Sequence, residues 1–152
     1  MKFLFIAQTP SENTKAIAKT ALAAMQDHAS EASYILFQSP TQIKASDIDD
    51  IDGLILGTLE NIGALSGLTK DMFDRCYNDW LDRKQGLPVA FYIRAGLDGT
   101  ATSRTLNSYA KALSWRLIAP PLILHGSYDD QMPSDAAALA AGLIAGVEAG
   151  IF

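Results

Sequence analysis

Three hydroxyls and a carboxamide crowd into the six residues Thr9-Pro10-Ser11-Glu12-Asn13-Thr14. They follow the apolar run Phe3-Leu4-Phe5-Ile6-Ala7 and precede a helical pattern of Ile17, Ala18, Ala21, Leu22 and Met25. Strand, hydroxyl-rich loop, helix is the arrangement of an anion site. The first N–H groups of a helix lack intrahelical partners and carry partial positive charge, so a phosphate placed there meets several donors and a favourable dipole. Ser and Thr side chains add hydroxyl donors. The same residues also read as ordinary caps, since Ser11 or Asn13 can close the helix start by accepting a backbone N–H.

Other chemistry is thin. The single cysteine, Cys76, excludes an internal disulfide, and two separated histidines, His28 and His125, offer no Cys/His metal constellation. His125 with Ser127-Tyr128-Asp129-Asp130 reads as a solvated turn, because no glycine-flanked nucleophile elbow accompanies it. The first strand ends in Ala7-Gln8-Thr9 without paired aspartates, which disfavours a Mg²⁺-dependent phospho-acceptor receiver. No residue is assigned a catalytic role and none a metal. Twelve basic against 17 acidic residues give a net charge of −5 without a basic cluster, which argues against nucleic acid or an anionic membrane as partner.

These candidates need a scaffold, and 152 residues, 49% hydrophobic and 19% charged, suit a single domain over 1–152 with a sizeable core. Short apolar runs alternate with helical patterns, the signature of strand–helix–strand units and a parallel sheet. The pattern predicts strands at Lys2 to Ala7, Ser33 to Phe37, Gly53 to Gly57, Val89 to Arg94 and Pro121 to His125. Helices are expected near Thr14 to Asp27, weakly near Thr41 to Ala45, then at Gly67 to Leu81, Thr102 to Trp115 and Pro133 to Ala149. In the third of these, Leu68, Met72, Phe73, Cys76, Tyr77 and Trp80 share one face, so Cys76 reads as a buried core residue. The Ala/Leu/Gly-rich stretch Ala136 to Val147 is shorter than the roughly 20 apolar residues of a membrane span and reads as a helix packed on a sheet. An N-terminus entering a strand at once, and one unpaired cysteine, predict residence in the reducing cytoplasm.

Five parallel strands in this alternation fit a three-layer, doubly wound α/β sheet of order 2-1-3-4-5, whose ligand crevice lies at the carboxyl ends of strands 1 and 3. The loops there have unusual composition: Gln8 to Thr14, Thr58 to Gly67, and Ala95-Gly96-Leu97-Asp98-Gly99-Thr100. Glycines permit close backbone approach to a ligand, whose polar edge backbone groups can then read. Turn formation alone also explains any single one of them.

Three stretches resemble the flavodoxin-like proteins, and specifically the small NAD(P)H-dependent flavin oxidoreductases among them. Ser11-Glu12-Asn13-Thr14 resembles the family's phosphate loop, Ser/Thr-x-Thr-Gly-Asn/His-Thr. Asp52 to Gly67, running into Lys70-Asp71-Met72-Phe73-Asp74-Arg75, is similar to its third strand, its Gly-Thr-Pro-Glu-Asn-Phe-Gly-Tyr-Met-Ser-Gly loop and the following helix. Ala90 to Gly99 resembles its fourth strand and Ala-Gly-x-Asp-Gly loop.

The resemblance implies an FMN site. Ser11, Asn13 and Thr14 would hold the phosphate, with Thr9 a further hydroxyl by position. Thr58, Leu59, Glu60, Asn61, Ile62 and Gly63 would lie along the flavin, and Gly96, Asp98 and Gly99 would line its other edge. The implied activity is hydride transfer from NAD(P)H to a small acceptor such as a quinone. The alternative is a flavodoxin-like electron carrier or binding module with a degenerate flavin site. Four positions depart from the family pattern: Glu12 for Gly, Leu59 for Pro, Ile62 for Phe and Ala64 for Tyr. Aromatic stacking contributes about 0.5–1.5 kcal/mol beyond burial, so the two lost rings would weaken FMN by roughly one to two orders of magnitude. Glu12 is expected to point away from the phosphate, while Ile62 and Leu65 would cover the flavin or pack against a second subunit of a homodimer.

Overall fold

The computed structural model describes residues 1–152. In chain order the elements are β1 (Lys2–Ala7), α1 (Glu12–His28), β2 (Tyr34–Gln38), two 3-10 turns (Pro40–Gln42 and Ala45–Ile48), β3 (Gly53–Asn61), β4 (Ala64–Leu65), α2 (Gly67–Trp80), β5 (Pro88–Ala95), α3 (Thr100–Ala112), β6 (Arg116–Leu117), β7 (Leu122–His125) and α4 (Gln131–Glu148). β1 lies between β2 and β3 in parallel register, with Phe3 opposite both Ile35 and Gly53, and β5 continues the sheet beyond β3. The last position is shared, since β6 pairs with Pro88 and Val89 while β7 pairs with Tyr92 to Ala95. The sheet therefore runs β2-β1-β3-β5 with β6 and β7 sharing the last position, which is the expected order 2-1-3-4-5 of its parallel strands with the fifth broken into two pieces, and β4 is added antiparallel to β3.

The alternation of side chains across a strand sends apolar residues to both faces, as a sheet covered on both sides requires. Phe3, Phe5 and Ala7 join Ile17, Ala18, Ala21 and Met25 of α1 and Ala136, Ala140, Leu143 and Ile144 of α4 in one core. Leu4 and Ile6 join Met72, Phe73, Cys76 and Trp80 of α2 and Leu106 and Ala110 of α3 in the other. Cys76 is a free, buried cysteine, as its helical face predicts. Leu68, expected on that face, is instead exposed in the first turn of α2. The weak helix expected at Thr41 to Ala45 is replaced by the two 3-10 turns, held against α2 by Arg75, which donates to the carbonyls of Ile43 and Pro40, and by Trp80 Nε1, which donates to Ala45.

Two further boundaries depart from the sequence pattern. β3 runs on through Thr58-Leu59-Glu60-Asn61, because Thr58, Leu59 and Glu60 find partners in Ile93, Arg94 and Ala95 of β5, and pairing outweighs the poor strand propensity of Glu and Asn. α3 stops at Ala112, and after Ser114 takes a left-handed conformation (φ 55°) the chain extends into β6 instead of continuing the helix to Trp115.

Candidate functional site

The carboxyl ends of β1, β3 and β5 carry the three loops of interest. After β1, Ser11 is the cap of α1 in a reciprocal arrangement: its Oγ accepts the Thr14 N–H at 3.2 Å, and Thr14 Oγ1 accepts the Ser11 N–H at 3.0 Å. Thr14 is buried, whereas Ser11, Glu12 and Asn13 are exposed and Thr9 half-exposed. The loop is thus the cap of a 17-residue helix, whose first N–H groups lie at it. Glu12 points away, accepting from Lys15 Nζ at 2.9 Å with its side chain 89% exposed.

After β3 the chain folds straight back as a tight hairpin. Asn61 pairs with Ala64 and Glu60 with Leu65, leaving Ile62 and Gly63 as the turn. Both have positive φ, 51° and 71°, the geometry of a two-residue turn that suits Gly or Asn and penalises a β-branched residue. Holding Ile62 there costs roughly 1–2 kcal/mol, and its side chain is nonetheless fully exposed. The strained residue is therefore an apolar side chain presented to solvent at the rim of the crevice.

The side chains just before the turn go elsewhere. Thr58 is buried in a hydroxyl pair with Thr69 at 2.7 Å, and Thr69 in turn donates to Gln8 Oε1 at 3.4 Å. Leu59 is buried. Glu60, 3% exposed, reaches across to the third loop, where its Oε1 accepts the Leu97 N–H at 2.7 Å and the Gly99 N–H at 3.2 Å. A single carboxylate therefore fixes the loop after β5 relative to the hairpin after β3.

That third loop is built for closeness. A Cβ on Gly96 would come within 3.1 Å of the Glu60 carbonyl, and one on Gly99, at φ 75°, within 2.6 Å of Ile123 Cγ2. Asp98 accepts the Thr100 N–H at 2.9 Å, and this backbone bond, followed by the Thr100 hydroxyl, holds its carboxyl below the usual carboxylate range. Leu97 is 63% exposed. A Cβ on Gly63 would approach its Cδ1 to 3.4 Å, so Ile62 and Leu97 stand on adjacent loop tips. Where the crevice meets the segment after β2, a cavity of about 210 Å³ is lined by Gln8, Thr9, Ser39, Thr41 and Leu68 among others.

The expected residues thus divide by what they offer a ligand. Ser11, Asn13, Asn61, Ile62, Gly63, Gly96 and Asp98 come together around one end of the sheet, exposed or half-exposed, and Gly99 lies buried beside them with its N–H taken by Glu60. Thr58, Leu59 and Glu60 are the foundation beneath it. Sequence reasoning missed Gln8, Thr69 and Leu97, although each lies within two residues of a position it named or a loop it marked.

No family model matches this chain, and no curated protein matches it in sequence. Solved structures do match in fold. A flavodoxin from the domain Archaea aligns with TM-score 0.78 at 14% identity, covering 97% of this chain and 99% of its own. Oxidised Flavodoxin 2 from Bacillus cereus aligns over the whole of both chains with TM-score 0.74 at 19% identity. A flavodoxin, WrbA-like protein from Agrobacterium tumefaciens aligns with TM-score 0.74 at 12% identity, covering 97% of both chains. The fold is flavodoxin-like.

Proposed function

We propose that this chain binds FMN in the crevice and acts as an oxidoreductase, accepting hydride from NAD(P)H and passing electrons to a small acceptor such as a quinone. The observation that carries the reading is the joining of two loops by Glu60, which sets the exposed apolar tips of Ile62 and Leu97 beside glycine backbone at the same sheet end as the α1 N-terminus. An apolar, flat ring with a polar edge and a phosphorylated tail is complementary to that set. Flavodoxin-like architecture supports the choice of cofactor.

In this reading Ser11, Asn13 and Thr14 with the α1 N–H groups hold the phosphate, helped by Thr9. The backbone of Asn61 to Gly63 and, in the third loop, of Gly96 and Asp98 reads the ring's polar edge, while Thr58, Leu59 and Glu60, the last holding the Leu97 and Gly99 N–H groups, keep those backbones in place. FMN supplies the hydride and electron chemistry when bound, so the protein contributes orientation and exclusion of water and no acid, base or nucleophile.

Neither the hairpin nor the third loop carries an aromatic residue to cover the ring, and Ile62 and Ala64 are both exposed. That openness favours an enzyme that admits a nicotinamide over an electron carrier or a flavin-free binding module. No helix is long and apolar enough to cross a membrane. We place the protein in the cytoplasm, with a homodimer contact at the Ile62 and Leu65 rim as one way of covering the site.

Absorbance of the purified protein before and after FMN addition tests binding, and anaerobic stopped flow tests the enzyme. Bleaching of the flavin by NADH or NADPH, followed by recovery on adding a quinone, is expected. No bleaching by either nucleotide at stoichiometric FMN would transfer the assignment to the carrier, and no FMN binding to the flavin-free module.

A further inference from the structure

β2, Tyr34-Ile35-Leu36-Phe37-Gln38, is an outer strand, bonded to β1 on one side only. Outer strands are normally blunted by a charge, a proline or a bulge. β2 carries none of these. Its register with β1 is unbroken from Tyr34 to Gln38, its residues are uncharged, and Tyr34 and Phe37 are 58% and 42% exposed. The alternation of the ladder fixes which backbone groups are free. Tyr34 donates to the Met1 carbonyl, so Tyr34, Leu36 and Gln38 turn their backbone groups to β1, and Ile35 and Phe37 turn theirs outward. On either flank the N–H groups of Ser33 and Ser39 are already taken, by the Ser30 carbonyl and by Gln42 Oε1. The strand thus presents two N–H and two C=O groups, placed symmetrically about Leu36.

We propose that β2 is a dimer interface, at which a second copy of this chain adds its own β2 antiparallel with the two-fold axis at Leu36. Ile35 of each chain then lies opposite Phe37 of the other and exchanges both backbone bonds with it, while Leu36 faces Leu36 as the pair without backbone bonds. Every outward group is satisfied, and the symmetry closes the assembly at two chains. The side chains fit the same pairing. Phe37 packs edge-on against Phe5 at 5.1 Å and borders a recess of about 200 Å³ formed with Thr9, Lys15, Lys19 and Leu22, which the second copy's Ile35 covers. The second copy's Tyr34 stands opposite Gln38, whose Oε1 is buried and has no partner within one chain. The antiparallel direction also turns the exposed Glu31 of each copy toward the end of β2 where Lys15 and Lys19 of the other stand.

Sedimentation of the full chain should give twice the single-chain mass at high concentration, with dissociation on dilution. Phe37→Glu sets a carboxylate against the second copy's Ile35 and offers Lys15 and Lys19 an acceptor in their own chain. It should raise the dimer dissociation constant at least about tenfold while circular dichroism of the folded chain is unchanged. Cysteine pairing reads the register. Leu36→Cys should cross-link two chains on mild oxidation, since facing Cα atoms in such a pair lie about 4.5 Å apart, whereas Tyr34→Cys should not, its two copies lying roughly 14 Å apart. Cys76 is buried and does not compete. A single-chain mass at every concentration, a dimer that folded Phe37→Glu leaves intact, or cross-linking through Tyr34→Cys in place of Leu36→Cys would each overturn the proposal. Should Phe37→Glu fail to fold, the two cysteine variants decide alone.

Discussion

Removing the Glu60 side chain should loosen the crevice and the fold together. In Glu60→Ala the Leu97 and Gly99 N–H groups lose their shared acceptor, and the Gly99 bond is buried where water does not replace it. An orphaned buried donor costs about 1–3 kcal/mol. The Leu97 bond is only partly buried, so water recovers part of its cost. A total of about 2–4 kcal/mol follows once the small void beneath the loop is included. Glu60→Gln keeps one acceptor oxygen of similar shape and gives up charge assistance, which should lower the loss to about 1–2 kcal/mol. Denaturant titration reads both values, with the midpoint falling and the slope unchanged. Amide exchange adds a local readout, in which protection at Leu97 and Gly99 falls more than protection in the centre of β5. A change below about 0.5 kcal/mol in Glu60→Ala, or exchange rates at those amides equal to the unmutated protein's, would show that the carboxylate does not hold the loop.

Glu12→Gln should leave the FMN dissociation constant within about twofold, because the carboxylate is exposed and paired outward with Lys15; a several-fold tightening would mean that it turns toward the phosphate. Cys76 should resist thiol reagents until denaturant is added, since burial both blocks access and raises the thiol pKa, with labelling kinetics in native buffer as the check. Asp98 contributes stability above the ordinary carboxylate pKa and loses it as pH falls through its depressed folded value, so Asp98→Asn should flatten the acid limb of a stability–pH curve below the ordinary carboxylate pKa; an unchanged limb would show that the Thr100 bond carries no proton linkage.

Periodicity made the layers legible. Val, Ile, Leu and Phe runs located the parallel strands, and the face of Met72, Phe73, Cys76 and Trp80 placed α2 correctly. The hairpin after β3 was hidden because the extension of β3 rests on pairing with a distant residue, Glu60 with Ala95, and its turn is Ile-Gly where Asn-Gly would have been recognised. β6 was hidden for a similar reason, two residues being too short to show a period. In the candidate site, residue types marked three loops that the structure brings to one end of the sheet, but not the direction of their side chains. Thr58 and Glu60 carry polar groups suited to a ligand, and only the strand's alternation, which extends farther than the sequence implied, turns them inward to Thr69 and to the Leu97 and Gly99 amides.

The break in the fifth strand also governs what the sheet can do outside its own chain. An open border of unpaired N–H and C=O groups invites a strand from another molecule, and the hazard grows with its length. Here that border is divided into two residues and four by Ile118-Ala119-Pro120-Pro121, and neither proline has an N–H to offer. An intruding strand would find no continuous template on that side. Rejoining the pieces, by replacing Pro120 and Pro121 with Thr and Val, would create a border of up to ten residues from Arg116 to His125 and convert a self-limiting sheet into one prone to edge-to-edge growth.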